Sequence, residues 1–307
     1  MNLRQLYNRA CCVMQWSIGF SRGSIEKIIR EKKADLTFKW LPVGTNAQSI
    51  ADPFVFKDPQ GNINLLYEDF SMVDGDKYGK IILAKLNKDL TTSSQVELLD
   101  AKSHSSYPFV FVENNTTYVI PETSFQKKVS AYEYDFENKS LVRERVLIKG
   151  RALLDPTICK YNGKYWLFAT ESDPQFDHGA LHIFYGDSLF GPYLAHQNNP
   201  VKNSLNGSRP AGNLIVVDGV LYRPTQNCVH YYGESISINQ ILKLSETEFV
   251  EEFYFKITPD ITSEFKDGVH TINVIDDIIV VDGIKMLFKP FTKWKLFLKK
   301  KWRKNIA

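Results

Sequence analysis

Cysteine is scarce in this 307-residue chain: there are four, at positions 11, 12, 159 and 228. Four thiols cannot staple a fold of this length, and no C-x2-C pair offers a metal knuckle, so a reducing compartment is predicted. No apolar run approaches the ~20 residues needed to cross a bilayer. The start, MNLRQLYNRACCVMQWSIGF, places two arginines before a short apolar patch that Gln15 interrupts, and it lacks a small-residue cleavage site. No cleaved leader is therefore expected. Phosphate-binding glycine loops, HExxH and nucleophile-elbow patterns are missing as well. The acidic stretch DGDKYGK (Asp74–Lys80) lacks EF-hand spacing, so neither a cofactor nor a protein-ligated structural metal is expected.

What is present describes a well-cored, β-rich protein. Apolar residues make up 43 % and charged residues 24 %, which excludes wholesale disorder. Aromatic residues reach 13 %, a share that suits strands and sugar-binding surfaces. The net charge of +3 hides an asymmetry: residues 285–304 carry nine basic side chains and no acid, leaving 29 basic against 35 acidic elsewhere. Lys and Arg alternate with Phe, Trp and Leu there, a pattern suited to peripheral contact with an anionic membrane and not to nucleic acid. The chain is accordingly expected in the cytoplasm, at the inner face of the membrane.

One unit recurs. Its copies read ADPFVFKDPQGNINLLYED, SYPFVFVENNTTYVIPETS, LDPTICKYNGKYWLFATES and SRPAGNLIVVDGVLYRPTQN, with a weaker fifth, VHTINVIDDIIVVDGIK. Each supplies two strand-length apolar runs joined by a tight turn, the pattern of a β-hairpin. Pro53, Pro108, Pro156, Pro210 and Thr271 align at intervals of 48 to 61 residues, and further strand-like runs (KIILAKLN, VSAYEYDF, ALHIFYGD, ISINQILKL) fill the gaps. Units near 50 residues with about four strands indicate propeller blades. The expected fold is all-β: an N-terminal strand and short helix over 1–44, a five-bladed β-propeller over 45–290, and a basic aromatic tail over 291–307. The helix is expected in SIEKIIREKK, capped by Ser24.

In a propeller, equivalent residues on the inner strands converge at one mouth. The residues before the aligned positions are Asp52, Tyr107, Asp155, Arg209 and His270, and the ends of the second strands add Glu68, Glu122, Glu171 and Gln226. Paired carboxylates around a concave site are what glycosyl chemistry requires, one moving a proton and the other supporting an oxocarbenium-like centre. Asp52, Asp155, Glu68, Glu122 and Glu171 are thus the candidate catalytic residues. Trp16, His104, Tyr107, Arg209, Arg223, Gln226 and His270 are the candidate substrate-binding residues, with the arginines suited to an anionic donor.

The ordered set ADPFVF, SYPFVF, YVIPETS, LLDPTI, KYWLFAT, LHIFYGDSLFGPY, SRPAGN and LYRPTQNCVHYYG resembles the N-terminal domain named after plant glucosamine inositolphosphorylceramide transferase, a domain also found in bacterial surface-polysaccharide loci. The likeness spans roughly residues 14–252. More distantly the chain resembles the five-bladed propellers of glycoside hydrolase family 43. That second resemblance implies Asp52 as a general base and Asp155 as a residue orienting the acid. The hydrolases place their general acid, a Glu, on the next blade, where this chain has Arg209. The expectation is a glycosyltransferase of surface-polysaccharide assembly, taking a sugar donor and a glycan or lipid-linked acceptor. A furanosidase-type hydrolase and a non-catalytic glycan-binding propeller are the alternatives.

Overall fold

A computed structural model describes residues 10–44, 48–71, 78–99, 102–173 and 176–292, without side-chain detail at 71 and within 172–178. Among the described residues twenty-one strands form five sheets around one axis, the five-bladed propeller expected from the repeat. Blade 1 holds β3 (Gln48–Lys57), β4 (Ile63–Ser71), β5 (Lys80–Leu86) and β6 (Thr92–Leu99). Blade 2 holds β7 (Ser106–Glu113), β8 (Thr116–Glu122), β9 (Lys128–Asp135) and β10 (Ser140–Lys149). Blade 3 holds β11 (Leu153–Tyr161), β12 (Lys164–Asp173), β13 (Phe176–Gly186) and β14 (Leu194–Ala195). Blade 4 holds β15 (Asn206–Pro210), β16 (Ile215–Val217), β17 (Val220–Asn227), β18 (Ser235–Leu244) and β19 (Phe249–Ile257).

Blade 5 closes the ring. Its order is β2 (Lys39–Trp40), β1 (Cys12–Arg22), β21 (Ile278–Phe288) and β20 (Ile272–Ile275), so the first strand of the chain is hydrogen-bonded to the last. The propeller therefore begins near residue 12 and not at 45. Eleven consecutive pairs between β1 and β21, from Cys12↔Phe288 to Arg22↔Ile278, remove the edges that each strand would otherwise expose. The helix α1 (Ile25–Glu31) follows β1. Ser24 caps it by accepting the Lys27 N–H, and Ile25, Ile28 and Ile29 are buried against blades 4 and 5. No helix among the described residues is long and apolar enough to cross a membrane. Most of DGDKYGK and the tail beyond residue 292 lie outside the described residues. The described part of the basic segment includes Lys285, which pairs with Glu264.

The recurrent junction has a common geometry. In blades 1, 2 and 3 the inner strand bulges at the aligned proline: the register skips between Ala51 and Phe54, between Ser106 and Phe109, and between Leu154 and Thr157. The residue before each proline is left-handed, with φ of 52° at Asp52, 43° at Tyr107 and 51° at Asp155. Non-glycine residues occupy that region only where the surroundings over-determine it, and bulges of this kind re-aim side chains at sheet edges and sites. The apolar residues that follow, such as Phe54, Phe109 and Ile158, are buried between blades and hold the bulges in place. At the far ends of the inner strands the axis opens instead into a largely apolar cavity of about 400 Å³, lined by Phe111, Val112, Leu214 and Val274 among others.

Candidate active site on the propeller axis

The bulges leave backbone N–H groups without a ladder partner, and acids from the preceding blade take them. Asp282 of blade 5 accepts the Asp52 N–H at 3.1 Å, Asp52 accepts the Tyr107 N–H at 3.2 Å, and Glu122 accepts the Asp155 N–H at 3.1 Å. Each carboxylate thus reaches one blade forward around the axis. This wiring brings Asp52, Glu68, Glu122 and Asp155 into one electrostatic neighbourhood, all buried. Residues more than 100 positions apart meet here because the ring closes.

Blade 4 supplies the cation. Arg209 donates from Nε to Asp155 at 2.7 Å, and its guanidinium lies 5.2 Å from the Tyr232 ring centroid. Gln226 donates to the same Asp155 oxygen at 3.3 Å and to the Pro210 carbonyl at 3.0 Å. The Arg209 side chain keeps 16 % of its surface exposed, so it reaches the mouth. His104, 39 % exposed, stands beside it: its Nδ1 accepts the Gly79 N–H, and its Nε2 lies 3.5 Å from Glu68 Oε1. Below them the Tyr107 hydroxyl sits 2.8 Å from Thr157 Oγ1 and accepts the Gly212 N–H at 2.8 Å, joining blades 2, 3 and 4 on the axis. Gly212 has φ of 118°, and a Cβ there would lie 2.0 Å from the Ile272 carbonyl oxygen, so only glycine allows this approach.

Burial separates the acids. It pushes Asp52 up to about 6, with His270 pulling the other way and Asp282 adding to the rise. Burial, reinforced by the Asp155 charge, pushes Glu122 up to about 8. Glu68 is driven well above the usual carboxylate range by burial and by Asp52 and Glu122. At neutral pH the centre therefore combines an ionised Asp52 with a protonated Glu122, a separation of roles that general acid–base chemistry needs. Glu68 Oε1 is buried without a hydrogen-bond partner, and a Cβ on Gly79 would come within 2.1 Å of it.

Four candidates stand elsewhere or differently than expected. Glu171 pairs with Arg151 and His182, away from the central acids. The reason is register: Glu68 faces Ala51 and Glu122 faces Ser106, but the corresponding partner of Leu154 is Thr170, so Glu171 lies one residue on and points to the opposite face. Arg223 is 1 % exposed and forms a two-point ion pair with Glu251, which Lys202 also binds. It lies an odd number of residues from Gln226 on β17, hence on the other side of the sheet, between blades 3 and 4 against Phe168. Trp16 is 3 % exposed and stacked on His270 at 4.1 Å, a wall for the histidine and no free platform for a sugar. Tyr107 is fully buried, bracing the axis beneath the mouth.

Asp282 was not among the candidates, yet it is the blade 5 counterpart of the second-strand acids. The fifth repeat ends its second strand in IIVVDG, and that aspartate was the available signal. Asp52, His270 and Asp282 present ligand atoms within 4.8 Å of one another, as a metal would require. Here the His270 Nδ1 to Asp282 Oδ2 contact is 2.6 Å, a hydrogen-bond length. Asp282 also accepts the N–H groups of Asp52, His270 and Thr271. The donors that fill this cluster are N–H groups, and their hydrogen bonds already occupy the Asp282 oxygens.

The family described as glucosamine inositolphosphorylceramide transferase 1, N-terminal, matches residues 39–269. The chain belongs to this family. Among relatives, glucosamine inositolphosphorylceramide transferase 1 of Oryza sativa subsp. japonica is 32 % identical over 215 residues, covering 68 % of this chain and 28 % of that protein. The Arabidopsis thaliana protein of the same name is 32 % identical over 214 residues, covering 68 % and 27 %. This chain thus spans under a third of the length of those relatives. Solved structures share the fold of this family member. A thermostable family-43 glycoside hydrolase aligns with TM-score 0.54 at 15 % identity, covering 72 % of this chain and 81 % of its own. A family-43 β-1,3-galactosidase with galactodeoxynojirimycin aligns with TM-score 0.55 at 9 % identity, covering 70 % and 81 %.

Proposed function

We propose that this chain is a carbohydrate-active enzyme that transfers a sugar in the assembly of surface polysaccharide, using the axial acids for the chemistry and Arg209 for an anionic donor. The observation that carries this reading is the Arg209–Asp155 pair at 2.7 Å, which joins blades 3 and 4 beside acids of divided protonation. Arg209 spends Nε on Asp155, and its outer edge serves a phosphate or carboxylate at the mouth. Asp52, ionised at neutral pH, takes the proton of an acceptor hydroxyl or faces the positive charge that develops at the anomeric carbon. A protonated Glu122 returns a proton to the departing oxygen. His104, with Nδ1 occupied as an acceptor, offers Nε2–H to the substrate. The names of the relatives support sugar transfer. The basic, aromatic segment 285–304 supports a lipid-linked acceptor and work at the inner face of a membrane.

Hydrolysis is the second reading, favoured by the same separation of Asp52 from Glu122. Incubation with nucleotide-sugar and lipid-linked donors, and separately with aryl glycosides, discriminates the two. Transfer from an anionic donor is expected, reduced about 10²- to 10⁴-fold in Asp52→Asn, the range of a lost acid–base group. Turnover on aryl glycosides alone would establish the hydrolase. Saturable sugar binding without product would leave a glycan-binding module, and transfer unaffected by Asp52→Asn would remove the assigned chemistry.

A further inference from the structure

The closing blade carries a buried charge system behind Asp52. Asp282 is wholly inaccessible, and four donors converge on its carboxylate: the backbone N–H groups of Asp52, His270 and Thr271, and His270 Nδ1. Only the ionised form accepts all four. A buried carboxylate without a counter-charge is costly, and among the described residues the cationic partner against it is the His270 ring at 2.6 Å. The other ring nitrogen, Nε2, lies 3.7 Å from Asp52 Oδ1, the oxygen that also accepts the Thr271 hydroxyl at 2.9 Å. Trp16 of β1 covers one face of the imidazole, and Tyr232 approaches edge-on at 5.1 Å. The titratable and charged groups facing His270 are Asp282 from β21, Asp52 from β3, Asp155 from β11 and Tyr232 from the β17–β18 connection.

We propose that His270, oriented by Asp282, is a positioning residue that stays doubly protonated at neutral pH and holds Asp52 as the ionised carboxylate of the centre. The ring is pinned at Nδ1, so its second proton sits on Nε2 and points at Asp52. Burial alone would strip the imidazole of its charge; the Asp282 and Asp52 charges outweigh it and lift the proton affinity of the ring. The pair also links function to ring closure. Asp52 sits on β3 and Asp282 on β21, so Asp52 acquires its counter-charge only when blade 1 has packed on blade 5, where Trp16 of β1 covers the ring. This inference rests on Asp52 being the ionised acid of the proposed reaction, but its test reads protonation and needs no substrate.

Proton–nitrogen NMR correlation of the histidine rings at pH 7, with His270→Gln assigning the signals, measures the state directly. Both His270 nitrogens are expected to carry protons, with an Nδ1 proton shifted far downfield by the short contact to Asp282. Carbon NMR of the Asp52 carboxyl is then expected to show at least a tenfold higher proton affinity in His270→Gln, and Asp282→Asn is expected to abolish the downfield Nδ1 signal of His270. A wild-type ring with a bare Nε2 at pH 7 overturns the proposal, and so does an Asp52 titration unmoved in folded His270→Gln. Should Asp282→Asn fail to fold, the wild-type spectrum and His270→Gln still decide. A confirmed charge state in a protein that transfers no sugar would leave this pair standing and remove the transferase reading.

Discussion

Thermal stability is expected to fall as pH rises from 6 to 9. In the native protein Glu122 releases its proton near 8, whereas an ordinary glutamate does so at 4.5. The native state therefore retains a proton that the unfolded chain has already lost, and the stabilisation present below 4.5 drains away as pH climbs through about 8. A tenfold change in proton affinity is worth about 1.4 kcal/mol, so the loss at Glu122 between pH 6 and about 8 is on the order of 3 kcal/mol. Asp52, raised to about 6, Glu68, raised further, and His270, also raised, all act in the same direction. On the acid side Glu251, held below its usual range because Arg223 and Lys202 outweigh its burial, loses stabilisation as pH falls. The two limbs meet near pH 4.5, the ordinary glutamate value, and the stability maximum lies there. Glu122→Gln keeps an acceptor for the Asp155 N–H and gives Ser124 a donor, so it is expected to flatten the alkaline limb. Equal or higher melting temperatures at pH 9 than at pH 6 would refute the assignment of protonated acids to the axis.

The second large effect concerns Arg209. Its partner Asp155 has a side chain only 3 % exposed, so Arg209→Met strands a buried carboxylate. Breaking a buried pair from one side costs about 3–5 kcal/mol. Adding Asp155→Asn removes the stranded charge and is expected to recover a substantial part of that loss. Denaturant unfolding of the two single variants and the double variant measures the coupling. A pair whose members act independently, with additive losses, would show that Arg209 is not bound into the centre and that its contact with Asp155 contributes nothing.

The extent to which the sequence foretold this arrangement follows from the range of the interactions involved. Hairpins are local, so the repeated Pro-anchored copies with apolar runs such as PFVF gave the blades and their number. Asp52, Asp155, Arg209 and His270 were legible for the same reason, since each adjoins an aligned position. Glu171 misled because the bulge at Asp155 fixes the register, and a one-residue offset turns a strand residue to the other face. Arg223 misled through the same alternation. The fifth blade was harder, because its outer strands β1 and β2 come from the opposite end of the chain and its hairpin carries Thr271 where the others carry proline. Asp282 was obscured with it. The left-handed backbone at Asp52, Tyr107 and Asp155, and the forward reach of each acid to the next bulge, are properties of the closed ring that no single segment displays.

The most direct test is a crystal structure of the protein with a bound nucleotide-sugar donor. The donor should lie at the mouth, with its anionic group on Arg209, His104 beside it, and the anomeric carbon facing Asp52. Density for the sugar on the blade rims, or in the apolar cavity at the other end of the axis, with the acidic centre unchanged, would contradict a reaction centre built from the converging blades.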